Sequence, residues 1–354
     1  MQIRQNDISI KDVDVNELDR LIEYLSNFKN ENRGRNFWRK RLKHWWKNNP
    51  GFNNSAFCGS LLMYDDGKNK KIVGFLGVIP FLTICDNTKQ LSYGLTNWRV
   101  DEEFRNQSLM LLSHLLKNLD KQIIFVNTPT PEVHAIYKAL KFSSFYSSHY
   151  VSHFYFKKNF FNNLTHIKSL SILTNIAHTI VNLYQNFLFN KSALDNDIRI
   201  LDIEKSDYDN FLRKTINFQN LYIDRSSKII EWIKNYNQNN GKIILGYYKN
   251  NNLKCTCTFM FCQENYKKLI CVDIWGDISL NILKRFIYFV SIQKINENID
   301  LIEIPELNPQ IKKILQKTGM YKKKRSDMRL IKIPPEKYFN KNSYFTMLEG
   351  DFIH

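Results

Sequence analysis

Arg105-Asn106-Gln107-Ser108 leads a polar stretch into the apolar, helically spaced run Leu109, Leu112, Leu115 and Leu116. A helix that begins there presents unpaired N–H groups and a positive partial charge at its first turn. Two readings of an arginine followed by small polar residues are open: an ordinary cap, or a site for an anion. The later run Tyr321-Lys322-Lys323-Lys324-Arg325 is likewise either a solvated basic face or a place for an anionic acceptor. The six cysteines (Cys58, Cys85, Cys255, Cys257, Cys262, Cys271) form no C-x-x-C pair, and no histidine spacing suits zinc. Buried free thiols in a reducing compartment are expected, and no metal. Cys255 and Cys257 alternate in an apolar run, so both should point to one face of a strand.

The chain of 354 residues is long enough for about two domains. Its 43% hydrophobic and 14% aromatic content argues for packed cores rather than disorder. A formal charge of +17 suits anionic partners, and it is also what a composition rich in Lys, Asn and Ile produces unaided. The opening MQIRQNDISIKDVDV lacks an apolar leader, and no run of eighteen apolar residues exists. A cytoplasmic protein without a transmembrane segment is the expectation.

The elements that must position the arginine stretch follow from periodicity. Residues 11–28 read as an amphipathic helix through Val15, Leu18, Leu21, Ile22 and Leu25. A second helix, 36–48, ends at Asn49-Pro50-Gly51. Strands are predicted over 56–64, 71–78, 81–86 and 90–99, with Asp65-Asp66-Gly67 turning the first into the second. The helix after Arg105 is followed by a strand over 122–126, a helix over 131–140 and a strand reaching Phe156. In 160–195, Ile167, Leu170, Leu173, Ile176, Ile180, Tyr184 and Phe187 recur at helical spacing, which predicts a helix packed between two domains. The remainder repeats the first half. Trp232 precedes a polar loop ending at Gly241 as Trp46 precedes one ending at Gly51, and Asn250-Asn251-Asn252 turns two strands as Asp65-Asp66-Gly67 does. NPQIKKILQKTGM at 308–320 aligns with TPEVHAIYKALKF at 130–142 without a gap.

This order of elements resembles the GNAT superfamily of acyl-CoA-dependent N-acyltransferases, twice over. The family motif of Arg or Gln, two residues, Gly, one residue, then Gly or Ala falls on Arg105 to Met110, with Ser108 and Met110 in place of the two small residues. The second signature, Tyr-x-x-x-Gly-Phe, falls on Tyr137 to Phe142, with Lys141 in place of Gly. The resemblance implies an α/β (α+β) fold of two GNAT-like units, each a mixed, mostly antiparallel sheet flanked by helices. The expected boundaries are an acyl-CoA-binding unit over 1–158, a helical linker over 159–196, a degenerate unit over 197–335 and a tail over 336–354.

The resemblance also implies roles. Acetyl-CoA or another acyl-CoA would lie with its pyrophosphate on the backbone of Arg105, Asn106, Gln107, Ser108 and Leu109, beside the strand end Trp98, Arg99 and Val100. Those donors are main-chain, so Ser108 can supply one, although a Cβ narrows the approach. Arg105 either adds a charge-assisted contact to phosphate or forms a surface ion pair with Glu102 or Glu103. Tyr137 stands where the family protonates the leaving thiolate; the alternative is a core aromatic. For the base, Asn97, Asp101, Glu102 and His134 are near, and His134 lies one helical turn before Tyr137. The second unit lacks the arginine motif and has Leu315 in the tyrosine's place, so it should not bind the acyl donor, and an acceptor cleft is its expected contribution. The implied activity is an N-acyltransferase, of N-acetyltransferase type, on a small amine such as an amino sugar or amino acid, with a sugar nucleotide among the candidates. Alternatives are a Fem-type transferase using aminoacyl-tRNA and a non-catalytic GNAT-like binding protein. No nucleic-acid recognition motif is visible, so DNA is not expected as a partner, while tRNA stays open.

Overall fold

The computed structural model describes residues 7–53, 56–86, 88–127, 129–144, 150–155, 176, 179–180, 183, 197–203, 208–215, 221–236, 241–263, 267–292, 299–318, 321–324, 330–332, 343–344 and 346. The chain begins with β1 (Ile8–Asp12) and two helices, α1 (Leu18–Asn27) and α2 (Arg35–Trp45). Leu21, Ile22 and Leu25 of α1, and Trp38, Leu42 and Trp45 of α2, form the buried stripes that helical spacing dictates. Three strands follow: β2 (Gly59–Asp65), β3 (Lys70–Cys85) and β4 (Thr88–Val100). Then come a 3₁₀ turn (Glu102–Gln107), α3 (Ser108–Asn118), β5 (Ile123–Val126), α4 (Pro131–Ala139) and β6 (Ser143–Ser144).

After β7 (Tyr150–Tyr155) the pattern recurs. It runs through β8 (Ile198–Ile200), α5 (Tyr208–Thr215), β9 (Leu221–Ile223), α6 (Ser227–Asn235), β10 (Lys242–Lys249), β11 (Asn252–Gln263) and β12 (Lys267–Gly276). It closes with α7 (Leu280–Ile292), β13 (Leu301–Pro305), α8 (Pro309–Gln316), β14 (Tyr321–Lys324), β15 (Leu330–Lys332) and β16 (Ser343–Tyr344). The repeat is visible in detail. Thr130 caps α4 by accepting from the Val133 N–H, Asn308 caps α8 by accepting from the Ile311 N–H, and each helix has proline in its first turn. The β10–β11 turn holds Asn250 and Asn251 at φ 52° and 61°, the left-handed pair that a two-residue hairpin requires.

The first sheet runs β1-β2-β3-β4-β5-β15-β6, with β9 paired to the far end of β3 and β16 paired to β9. The second runs β14-β7-β13-β12-β11-β10-β8. Most pairs are antiparallel; among the described residues the parallel ones are β4 with β5 and β9 with β16 in the first sheet, and β12 with β13 in the second. Sheet membership crosses the expected unit boundaries. Residues 150–155 lie in the second sheet, between β13 and β14, while 330–332 lie in the first, between β5 and β6. The tail also contributes, since Ser343–Tyr344 extends the first sheet through β9. Apolar alternation tells which face of a strand is buried but not which partner it will join.

Two further expectations change. The strands predicted over 71–78 and 81–86 are one strand, unbroken at Pro80. The Pro80 carbonyl accepts from the Asn49 amide at 2.8 Å, so that residue's main-chain groups point away from β4 into the gap between β2 and β9, where a missing N–H costs no ladder bond. In the stretch expected to pack as an interdomain helix, Ile176 and Ile180 are helical but more than half exposed; Ile167, Leu170, Leu173, Tyr184 and Phe187 lie outside the described residues.

Both faces of the first sheet are covered. Leu61 and Met63 of β2 join a cluster with α1 and α2 that continues into the second unit, while Leu62 and Tyr64 face α3 and α4. His44 joins the units: its ring stacks on Trp232 and Tyr236 at 4.6 and 4.1 Å, and its carbonyl accepts from the Trp232 indole. Burial, with Lys242 and Arg41 nearby, pulls the imidazole down to about 2, so it is neutral. All six cysteines are free and five are buried. Cys257 Sγ lies 3.6 Å from Cys271 Sγ, and burial raises the Cys255 and Cys257 thiols well above their ordinary value, which makes them unreactive.

Candidate active site

The parallel ladder between β4 and β5 ends at Leu95 and Val126. β5 stops there, whereas β4 continues to Val100. Between Gly77–Thr96 and Phe75–Arg99 the register shifts, so Asn97 and Trp98 together oppose Leu76. Asn97 takes φ 49°, a conformation asparagine tolerates better than most residues. A bulge at this place bends the strand and re-aims its side chains. The result is a crevice at the carboxyl ends of two parallel strands, flanked by the helices that follow each of them, a place where α/β proteins bind ligands.

On the elements around this place, four buried polar atoms have no hydrogen-bond partner among the described residues: Trp98 Nε1 from the free end of β4, Gln107 Oε1 from the turn before α3, Asn127 Nδ2 just past β5, and His134 Nε2 from α4. Buried polar atoms are nearly always paired, so such a group marks where a ligand or water completes the structure. Trp98 and Gln107 were expected here as cofactor neighbours, and His134 as a base. Asn127 was missed. Its signal was a lone polar residue ending a four-residue apolar strand.

Tyr137 is the buried residue of α4, 2% exposed, with its ring 6.2 Å from Trp98 and 4.9 Å from Phe142. Burial raises its phenol pKa, so the group stays protonated. Lys141, at the position of the motif glycine, takes φ 64° and closes the helix, with Phe142 N–H donating to the Tyr137 carbonyl at 3.0 Å. The glycine-type turn survives with lysine, at a strain of about 1 kcal/mol.

The start of α3 differs from an open cradle. Residues 102–107 form a 3₁₀ turn that runs into the helix, and the Ser108 N–H donates to the Arg105 carbonyl. The Phe104 N–H is likewise used, by Asp101. Arg105 and Asn106 are exposed, and Arg105 makes no ion pair among the described residues; Glu102 pairs with Lys29 instead, at 2.9 Å. Leu109 and Met110 are on the exposed side of α3, so Met110 does not fill the core. Val100 packs its side chain near Gly74 of β3.

Arg99 points to another task. It pairs with Glu31 at 2.8 Å and lies over Phe28 and Trp38, while Arg33 holds the same carboxylate at 2.6 and 2.7 Å. The loop between α1 and α2 is thereby tied to the free end of β4. Burial pushes the Glu31 carboxyl up, but the hydrogen bonds from Arg33 and Arg99 outweigh it and hold the group at about 2. This folded value lies below the ordinary 4.5, so the stabilisation is complete above 4.5 and is lost as pH falls towards 2. Glu31→Gln should cost about 2 kcal/mol at pH 7. The urea midpoints of native and variant proteins should then draw together between pH 7 and pH 2.5; a constant gap would deny the carboxylate this role.

Among the described residues, no group of three His, Cys, Asp or Glu is placed to hold a metal, and no helix is long and apolar enough to cross a membrane. No protein-family model matches the chain, and no curated protein matches it in sequence. Solved structures do match its fold. Saccharomyces cerevisiae N-myristoyltransferase with bound myristoyl-CoA is similar at a TM-score of 0.53 and 10% identity, over 94% of this chain and 83% of that one. A probable N-acyltransferase from Enterococcus faecalis gives 0.55 and 9%, over 92% and 72%. A GCN5-related N-acetyltransferase from Anabaena variabilis gives 0.55 and 10%, again over 92% and 72%. This chain therefore has the fold of these solved structures, a mixed α/β arrangement of two sheets flanked by helices.

Proposed function

We propose that the protein is an acyl-CoA-dependent N-acyltransferase, of N-acetyltransferase type, acting on a small amine such as an amino sugar or amino acid. The observation that carries the reading is the set of four unpartnered polar atoms around the splayed strands, beside a buried, protonated tyrosine. A thioester carbonyl placed between Trp98 and Tyr137 would meet the main chain of the β4 bulge. His134 takes the proton from the attacking amine as the C–N bond forms, and the Tyr137 phenol gives one to the sulfur as the C–S bond breaks. Burial that raises the phenol pKa raises that of a thiolate formed beside it too, which keeps donor and acceptor matched. Arg105, exposed and without an ion pair among the described residues, is available to phosphate once the 3₁₀ turn opens its N–H groups. A cytoplasmic setting, where coenzyme A thioesters are available, goes with this reading.

Calorimetric titration tests it. Acetyl-CoA and free coenzyme A should bind at micromolar concentration, and Arg105→Ala should weaken both by about tenfold. No binding of either would overturn the reading. Steeply salt-dependent binding of tRNA would then favour the aminoacyl-tRNA alternative.

A further inference from the structure

The second unit has a crevice of its own, at the carboxyl ends of β12 and β13. A cavity of about 500 Å³ opens there, bounded by Gly276 and Asp277 at the end of β12, Gln310 at the start of α8, α5, β11 and Tyr344. That is the volume of a drug-sized ligand site. It stands apart from the first crevice. Tyr344 is joined through Tyr222 to Ile84 of β3, whereas Trp98 lies opposite Leu76 on the same strand. At about 3.3 Å per residue, roughly 25 Å of β3 separates the two places. The acceptor cleft expected of the second unit would need to adjoin the thioester, and this cavity does not.

Its walls select for chemistry. The floor is aromatic: Trp275 and Tyr344 meet edge to face at 5.0 Å. The Trp275 indole N–H is committed to Thr215 Oγ1 at 2.9 Å, so this residue offers ring surface rather than a donor. The Arg225 guanidinium lies against both rings, and its charge is met by Asp273. Gly276 takes φ 101°, and a Cβ there would sit 2.4 Å from the Lys254 carbonyl, so this edge stays free of a side chain. At the mouth, Lys214 and Lys254 are exposed and make no ion pair among the described residues, against a single carboxylate, Asp277.

We propose that this cavity is a second ligand site, which binds an amphipathic anion: a flat aromatic body on Trp275 and Tyr344, with one carboxylate held by Lys214 and Lys254. The test uses one ring with three charges, by calorimetry on the full chain. Indole-3-acetate should bind more tightly than 3-methylindole, and tryptamine more weakly than either. Lys214→Ala/Lys254→Ala should weaken indole-3-acetate about tenfold and leave 3-methylindole unchanged. Saturating coenzyme A should not displace the acid, which separates this site from the acyl-transfer crevice. Absence of binding, equal binding of acid and neutral ring, an unaltered double variant, or competition by coenzyme A would each overturn the proposal.

Discussion

Tyr137→Phe is expected to lower the rate of acyl transfer by about a hundredfold or more while leaving acyl-CoA affinity unchanged. The substitution removes one oxygen and keeps the ring, so its packing against Trp98 and Phe142 is preserved. Loss of stability should stay near 1 kcal/mol, too little to unfold the protein. A proton donor to the leaving sulfur acts only as the C–S bond breaks, so its removal should fall on kcat and not on binding. Steady-state rates with an accepted amine, set beside calorimetric affinities for acetyl-CoA, separate these effects. An unchanged kcat would make Tyr137 a core aromatic and nothing more. His134→Gln then distinguishes the base: it should lower kcat, because an imidazole can take a proton from the amine and an amide cannot.

Several features of this site were legible because they are local. Thr130-Pro131 and Asn308-Pro309 announce helix starts through a side-chain oxygen and a fixed φ, and both helices begin there. The pairing of Tyr137 with Phe142 follows from five residues of one helix and its cap. The form of the turn before α3 was not legible, since a 3₁₀ turn and an α-helix place the same residues three apart and differ in which carbonyl each N–H reaches. Arg99 was assigned to the cofactor from its place at the strand end. Its partner, Glu31, lies in a loop 68 residues earlier, and no periodicity connects them. The exchange of β7 and β15 between sheets has the same origin. Each is a short strand, and its partners are set by tertiary context rather than by its own residue pattern.

Asp273→Ala is expected to cost about 3–5 kcal/mol, a large part of the stability of an ordinary domain. Arg225 is fully buried, and Asp273 holds its Nε at 3.2 Å and its Nη2 at 2.9 Å. Its other contacts include the Ile223 carbonyl at 2.9 Å, the Thr346 hydroxyl at 3.3 Å and the faces of Trp275 and Tyr344. Removing the carboxylate takes away the negative charge that meets this buried guanidinium at two of its nitrogens. The pair is also a seam. Arg225 follows β9 of the first sheet, Asp273 belongs to β12 of the second, and Thr346 follows β16 of the tail. Loss of the charge should therefore raise hydrogen exchange at 221–223 and 343–344 before it affects α3 and α4, which pack in a separate apolar cluster. Asp273→Asn, which keeps an acceptor, should lose less. Arg225→Met/Asp273→Leu, which removes both charges and fills the volume, should fall within about 2 kcal/mol of the native protein. Urea denaturation of the three variants decides the matter: if Asp273→Ala loses less than about 1 kcal/mol, the ion pair is not what holds the two sheets and the tail together at this point.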